Sequence, residues 1–154
     1  MTRTKKKMNL SEYVHKRNGV SLGSSGSMNN MLDRSFGAKS FRGFWRYWNP
    51  IFGYYLNRFI YSPLLRIVPD HVALVLTFLV CGLIHDIVTM AVRGSFAFFF
   101  VPWFLLLGLA VVFDEKCNLN QTNRSKLFRV LVNVFYLGIC LIGALIMQKL
   151  LNLH

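Results

Sequence analysis

The chain has 154 residues, 54% of them hydrophobic, and a positive mean hydropathy; this is too apolar for an ordinary soluble domain and places it among integral membrane proteins. Its formal net charge of +12 is lopsided, with basic residues crowded between Arg3 and Arg46, ahead of the first long apolar run. No nucleic-acid-binding motif accompanies that charge, so no nucleic-acid partner is expected, and an anionic cytoplasmic leaflet is the better match, at about 1 kcal/mol per Lys or Arg near the surface. The three cysteines Cys81, Cys117 and Cys140 are odd in number and lack Cys-x-x-Cys spacing, which argues against a disulfide scaffold or a metal site.

Residues 1–40 read as a basic, partly flexible cytoplasmic arm. The lysine run is followed by a stretch too polar for the apolar core of a signal peptide. Gly23-Ser24-Ser25-Gly26-Ser27 is flexible linker chemistry, and a short helix is expected around 29–34. Residues 41–154 form the membrane domain. In 41–68, aromatic rings alternate with Arg42, Arg46, Asn57, Arg58 and Arg66, a mixture satisfied at the headgroup boundary; Pro63 is expected to divide the segment. Pro69-Asp70 supplies a turn and a helix cap, and 71–92 reads as the first spanning helix. A second span covers 95–113, with Pro102 as a kink, and a polar loop follows at 114–126. The third, 127–151, is long enough to tilt. The expected fold is an all-α, multi-pass integral membrane protein with about three transmembrane helices and an aromatic-rich interfacial or re-entrant segment. If only these three segments cross, which is the preferred reading, the Lys and Arg distribution puts the arm and the 114–126 loop on the cytoplasmic side; if 51–68 also crosses, that loop moves outside.

Within the first span, a turn of 100° per residue places Thr77, Cys81, Gly82, His85 and Thr89 on one face, with Asp86 at its edge. Leu74, Val75, Leu79, Leu83 and Ile87 fall on or near the other side, which can meet lipid. An ionisable residue at this depth is costly, so His85 is either polar glue between helices or a functional group. As a functional group it is a general base, since a neutral imidazole accepts a proton from an alcohol. Asp86, adjacent in sequence and about 100° round the helix, can orient the ring only through backbone geometry or a shifted rotamer; the alternatives are that it bonds another segment or is protonated. Asn49 also has two readings: its amide can hold a thioester carbonyl or oxyanion, or it caps a helix that has Pro50 at its first position.

Phe44-Trp45-Arg46-Tyr47-Trp48-Asn49-Pro50, followed by Arg58-Phe59-Ile60-Tyr61-Ser62-Pro63-Leu64, resembles the Phe-Trp-x-x-Trp-Asn and His/Arg-x-x-Tyr-x-Pro pattern of the membrane-bound O-acyltransferases. The likeness is greatest to their diacylglycerol, sterol and wax ester synthesising branches. The stretch from Thr77 to Asp86 is similar to the family segment that ends in the active-site His and an acidic residue, and the 36-position gap from Asn49 to His85 also matches. The resemblance, which covers about 35–90, implies acyl transfer from an acyl-CoA to a hydroxyl acceptor, with a membrane lipid as the expected one. His85 would be the catalytic base and Asn49 its partner, with Trp45, Trp48, Tyr61 and Asp86 binding substrate. Acyl-CoA is then a co-substrate, and neither cofactor nor metal is implied. Three helices do not by themselves enclose an acyl chain, which calls for a homo-oligomer or a second membrane subunit. The alternative is a non-catalytic membrane protein of the same ancestry that binds lipid or a partner subunit.

Overall fold

A computed structural model describes residues 8–94 and 98–151, which are helices and turns with no strand among them. The expected arm folds, from Leu10 on, as two helices. α1 (Leu10–Asn18) starts at a capping box in which Asn9 Oδ1 accepts from Glu12 N at 2.8 Å and Glu12 accepts from Asn9 N at 2.9 Å. The Asn-x-x-Glu spacing that signals this start was present in the sequence. α2 (Ser27–Phe36) begins earlier than the expected 29–34 because Ser27 is drawn out of the linker. The amide of Asn18, 2% exposed, donates to Ser27 O and Oγ and ties the two helices together.

α3 (Phe41–Tyr47) is capped by Ser40 Oγ, which accepts from Gly43 N. Phe41 and Phe44 lie on one face of it and are 0% and 1% exposed. They pack in one core with Phe78 and Cys81, Phe104, Leu107 and Val111, and Cys140, so part of the aromatic segment is interior and not headgroup belt. α4 (Pro50–Leu56) runs into a π-helical turn, Asn57–Tyr61, and then α5 (Ser62–Leu64). Pro63 therefore does not break the segment: Ser62 N pairs with Asn57 O five residues back, and this wider turn shifts the pairing register just ahead of a residue with no N–H.

α6 (Asp70–Arg93) and α8 (Lys126–Leu151) match the first and third expected spans. Both are long and apolar enough to cross a membrane. The expected second span is cut short. Residues 95–97 lie outside the described residues, and α7 (Phe100–Lys116) has 17 residues, about 25 Å of helix against a hydrocarbon core of about 30 Å. Among the described residues, α6 and α8 are the two helices that meet the length for crossing. Pro102 falls in the first turn of α7, where a missing N–H leaves no gap in the ladder, and it makes no mid-helix kink. At its other end α7 continues through Asp114, Glu115 and Lys116 into the expected loop, because both carboxylates find partners on or near α3.

α6 and α7 form the largest interface. They approach closely at two glycines: a Cβ on Gly82 would lie 2.8 Å from Phe100 O and 3.0 Å from Phe104 Cβ, and one on Gly108 would lie 3.1 Å from Phe78 Cβ. Leu83 and Ile87 face outward as the helical projection expects. Leu74 and Val75 do not, since Leu74 lines a cleft and the Val75 backbone meets Gly108; α7 covers more of α6 than one polar stripe. α8 keeps an apolar outer face of Leu131, Phe135, Ile139, Ile142 and Ile146.

Candidate active site

A cleft of about 260 Å³ lies between α1, α3, α4, the π-turn, α6 and α7. His85, Asn49, Trp45, Trp48 and Tyr61 all line it, as do Thr77 and Cys81 of the polar face of α6. Residues 36 positions apart thus reach one cavity, because α3 packs its Phe41 and Phe44 face into the bundle while the far end of the motif stays at the opening.

His85 is held in a defined orientation. Its Nδ1 lies 2.7 Å from Cys81 O, one helical turn back. A carbonyl only accepts, so Nδ1 carries the hydrogen, and in the neutral ring Nε2 is left with a lone pair. The imidazole stacks on Phe104 at 5.0 Å, with Phe100 at 5.3 Å and the edge of Phe52 at 5.9 Å. Three rings thereby fix its plane and restrict water around it.

Asn49 realises the capping reading. Its Oδ1 accepts from Phe52 N at 3.2 Å, with Pro50 at the first position of α4, and its backbone is left-handed (φ 41°), a conformation that Asn tolerates better than most residues. The cap engages the oxygen alone, so the group the side chain can offer a ligand is its Nδ2. Trp45 packs edge-on to Phe78 at 5.1 Å and Trp48 stacks on Phe44 at 5.4 Å, so both indoles are anchored in the core while lining the cleft.

Asp86 departs from its expected place beside substrate. It is 1% exposed and does not line the cleft. Phe99 N and Phe100 N donate to its Oδ1 at 3.0 and 2.9 Å, and Val101 N donates to its Oδ2 at 2.8 Å. The carboxylate thus caps α7 from α6, satisfying backbone donors that a helix start leaves unpaired, and it sets the helix that carries Phe100 and Phe104 against His85. Asp114, also buried, does the same for α3: Phe41 N donates to its Oδ2 at 2.9 Å and Tyr136 Oη to its Oδ1 at 3.3 Å.

The family that this architecture serves is decided by comparison. The sequence model of the MBOAT, membrane-bound O-acyltransferase family, matches residues 12–149. The chain belongs to the membrane-bound O-acyltransferases. No curated protein and no solved structure matches it. As a membrane-bound O-acyltransferase the chain is membrane-associated, in keeping with its two long apolar helices.

Sequence reasoning missed a polar latch at the cleft. Arg42 Nη1 contacts Glu115 Oε1 at 2.6 Å and Asp70 Oδ2 at 3.1 Å, its Nη2 donates to Tyr61 Oη at 3.0 Å, and Tyr61 donates in turn to Asp70. Burial opposes the Arg42 charge, but the hydrogen bonds to Glu115 and Asp70 outweigh it and hold the guanidinium above its ordinary value. Burial, and then the bond to Asp70, push the Tyr61 phenol up. Four residues from four segments meet here, and no local spacing announces such a meeting.

Proposed function

We propose that this membrane-bound O-acyltransferase moves an acyl group from an acyl-CoA thioester to the hydroxyl of a membrane lipid, with His85 as general base. The observation that carries the reading is the placement of His85 and Asn49 on one cleft, with His85 Nδ1 committed to Cys81 O. Nε2 takes the acceptor's hydroxyl proton as the oxygen attacks the thioester carbonyl. Asn49 Nδ2 donates to the developing oxyanion, the C–S bond breaks, and the proton passes to the departing coenzyme A thiolate. Trp45, Trp48 and Tyr61 shape the wall on which the acyl chain lies, and Asp86 supports His85 by fixing the start of α7, which carries Phe100 and Phe104. The reaction draws on no metal or resident cofactor. A diacylglycerol, sterol or fatty alcohol acceptor accords with the motif likeness. The basic arm faces the cytoplasm, where acyl-CoA is delivered, and a second copy or another membrane subunit completes the enclosure of the acyl chain.

The test uses the full chain in liposomes with radiolabelled palmitoyl-CoA and, in turn, each of the three acceptors. The wild type forms labelled ester with one of them, and His85→Ala lowers turnover by about 10²- to 10⁴-fold, the usual contribution of a positioned base. Equal turnover in the two proteins would remove His85 from the chemistry.

A further inference from the structure

The cleft holds more positive charge than the chain neutralises. Three of its lining residues are arginines: Arg17 of α1, and Arg42 and Arg46 of α3. Arg42 is matched by Asp70 and Glu115. The other four of the chain's six carboxylates are engaged elsewhere: Glu12 in the α1 capping box, Asp33 with Lys126, Asp86 on the start of α7 and Asp114 on the start of α3. Among the described residues no carboxylate forms an ion pair with Arg17 or Arg46.

Arg17 is the more telling of the two. Its guanidinium carbon sits 5.1 Å from the centre of the Tyr13 ring, an arrangement that restrains the side chain, and its Nε is buried without a hydrogen-bond partner. A buried donor left unpaired is costly, and an arriving acceptor relieves that cost. Around these charges the wall is apolar, with Phe52, Leu56, Leu74, Phe78 and Phe104. Half-buried Arg17 and exposed Arg46, both lining a cleft whose wall is apolar, suit an amphiphile with a phosphate head, because the planar fork of Arg matches phosphate oxygens.

We propose that Arg17 and Arg46 form a phosphate site in the cleft, gripping the head of an amphiphile whose hydrocarbon part lies on the aromatic wall. The site deepens the acyltransferase reading, on which it rests for the identity of the cleft as a substrate site. It makes α1, in the basic arm, a part of the binding machinery. The same phosphate chemistry is presented by the nucleotide end of an acyl-CoA and by the headgroup of a phospholipid.

The experiment measures equilibrium binding of radiolabelled palmitoyl-CoA to the full chain in phosphatidylcholine nanodiscs. Pyrophosphate, free coenzyme A and a short-chain phosphatidic acid serve as competitors. The double variant Arg17→Gln/Arg46→Gln is expected to bind about tenfold more weakly or worse. Arg17→Lys/Arg46→Lys keeps the charge but loses the fork and should bind between the wild type and the Gln variant, and Arg124→Gln, whose guanidinium lies over Phe128 outside the cleft, should match the wild type. Competition by coenzyme A assigns the site to the nucleotide end, competition by phosphatidic acid to a lipid headgroup, and either supports it. Wild-type affinity in the Gln double variant overturns the proposal, as does failure of all three phosphate compounds to compete on the wild type, a result that requires no variant to fold. Turnover by His85→Ala reports separately on the acyltransferase reading and leaves these binding results standing.

Discussion

At the scale of single residues, Asn49 combines two roles that can be separated experimentally. Its Oδ1 caps α4 while its backbone stays left-handed, so an alanine there would lose the cap and strain the turn at once. Asp caps as well as Asn and tolerates the left-handed region, yet it has no side-chain N–H to give an oxyanion. Asn49→Asp is therefore expected to keep the thermal stability of the wild type while turnover falls about 10²- to 10³-fold, the usual effect of losing one oxyanion donor. Thermal melting and acyl transfer measured on the same preparation check this; an active Asn49→Asp would leave Asn49 with the cap alone. His85 poses the complementary case, since its orientation comes from a backbone carbonyl that no substitution of Cys81 removes.

At the scale of elements, the close approach of α6 and α7 rests on Gly82, whose missing Cβ leaves room for Phe100 O and Val101 Cα. Backbone cannot yield as a flexible side-chain tip can, so Gly82→Ala should destabilise by about 1 to 3 kcal/mol through overpacking. Gly138 on α8 meets nothing within 4 Å, and Gly138→Ala should be neutral or stabilise by up to about 1 kcal/mol through helix propensity. Apparent melting temperatures in detergent test the pair, and equal behaviour of the two variants would contradict the packing account. The sequence made α6 and α8 legible because a long apolar run has one dominant solution. It also placed the face of α6 that carries Cys81, Gly82 and His85, since helical periodicity is local. It did not show where α7 begins: that position depends on Asp86 reaching Phe99, Phe100 and Val101, a bond across two helices. For the same reason Asp86 read as a substrate group, although its chemistry is spent on backbone donors.

At the scale of the whole molecule, the motif segment is joined to the long helices by the latch of Arg42, Asp70, Glu115 and Tyr61, which binds α3 and the π-turn to the start of α6 and the end of α7. The cleft lies between the parts that this latch connects, so its shape depends on bonds that no apolar pattern encodes. The latch also gives the fold a pH limit whose sign follows from Tyr61. The phenol is pushed above its ordinary value of 10.0 in the folded chain, so folding favours the protonated form. Its contribution is complete below the unfolded value and is lost as pH rises through the folded one. Tyr61→Phe keeps the ring but removes the hydroxyl that links Arg42 to Asp70. The wild type should therefore melt above Tyr61→Phe by a constant margin from about pH 7 to 9, and that margin should shrink once the pH passes about 10. Melting both proteins across this range decides the matter: identical melting at neutral pH, or a margin that persists undiminished well above the folded value, would mean that Tyr61 does not hold the motif segment to α6.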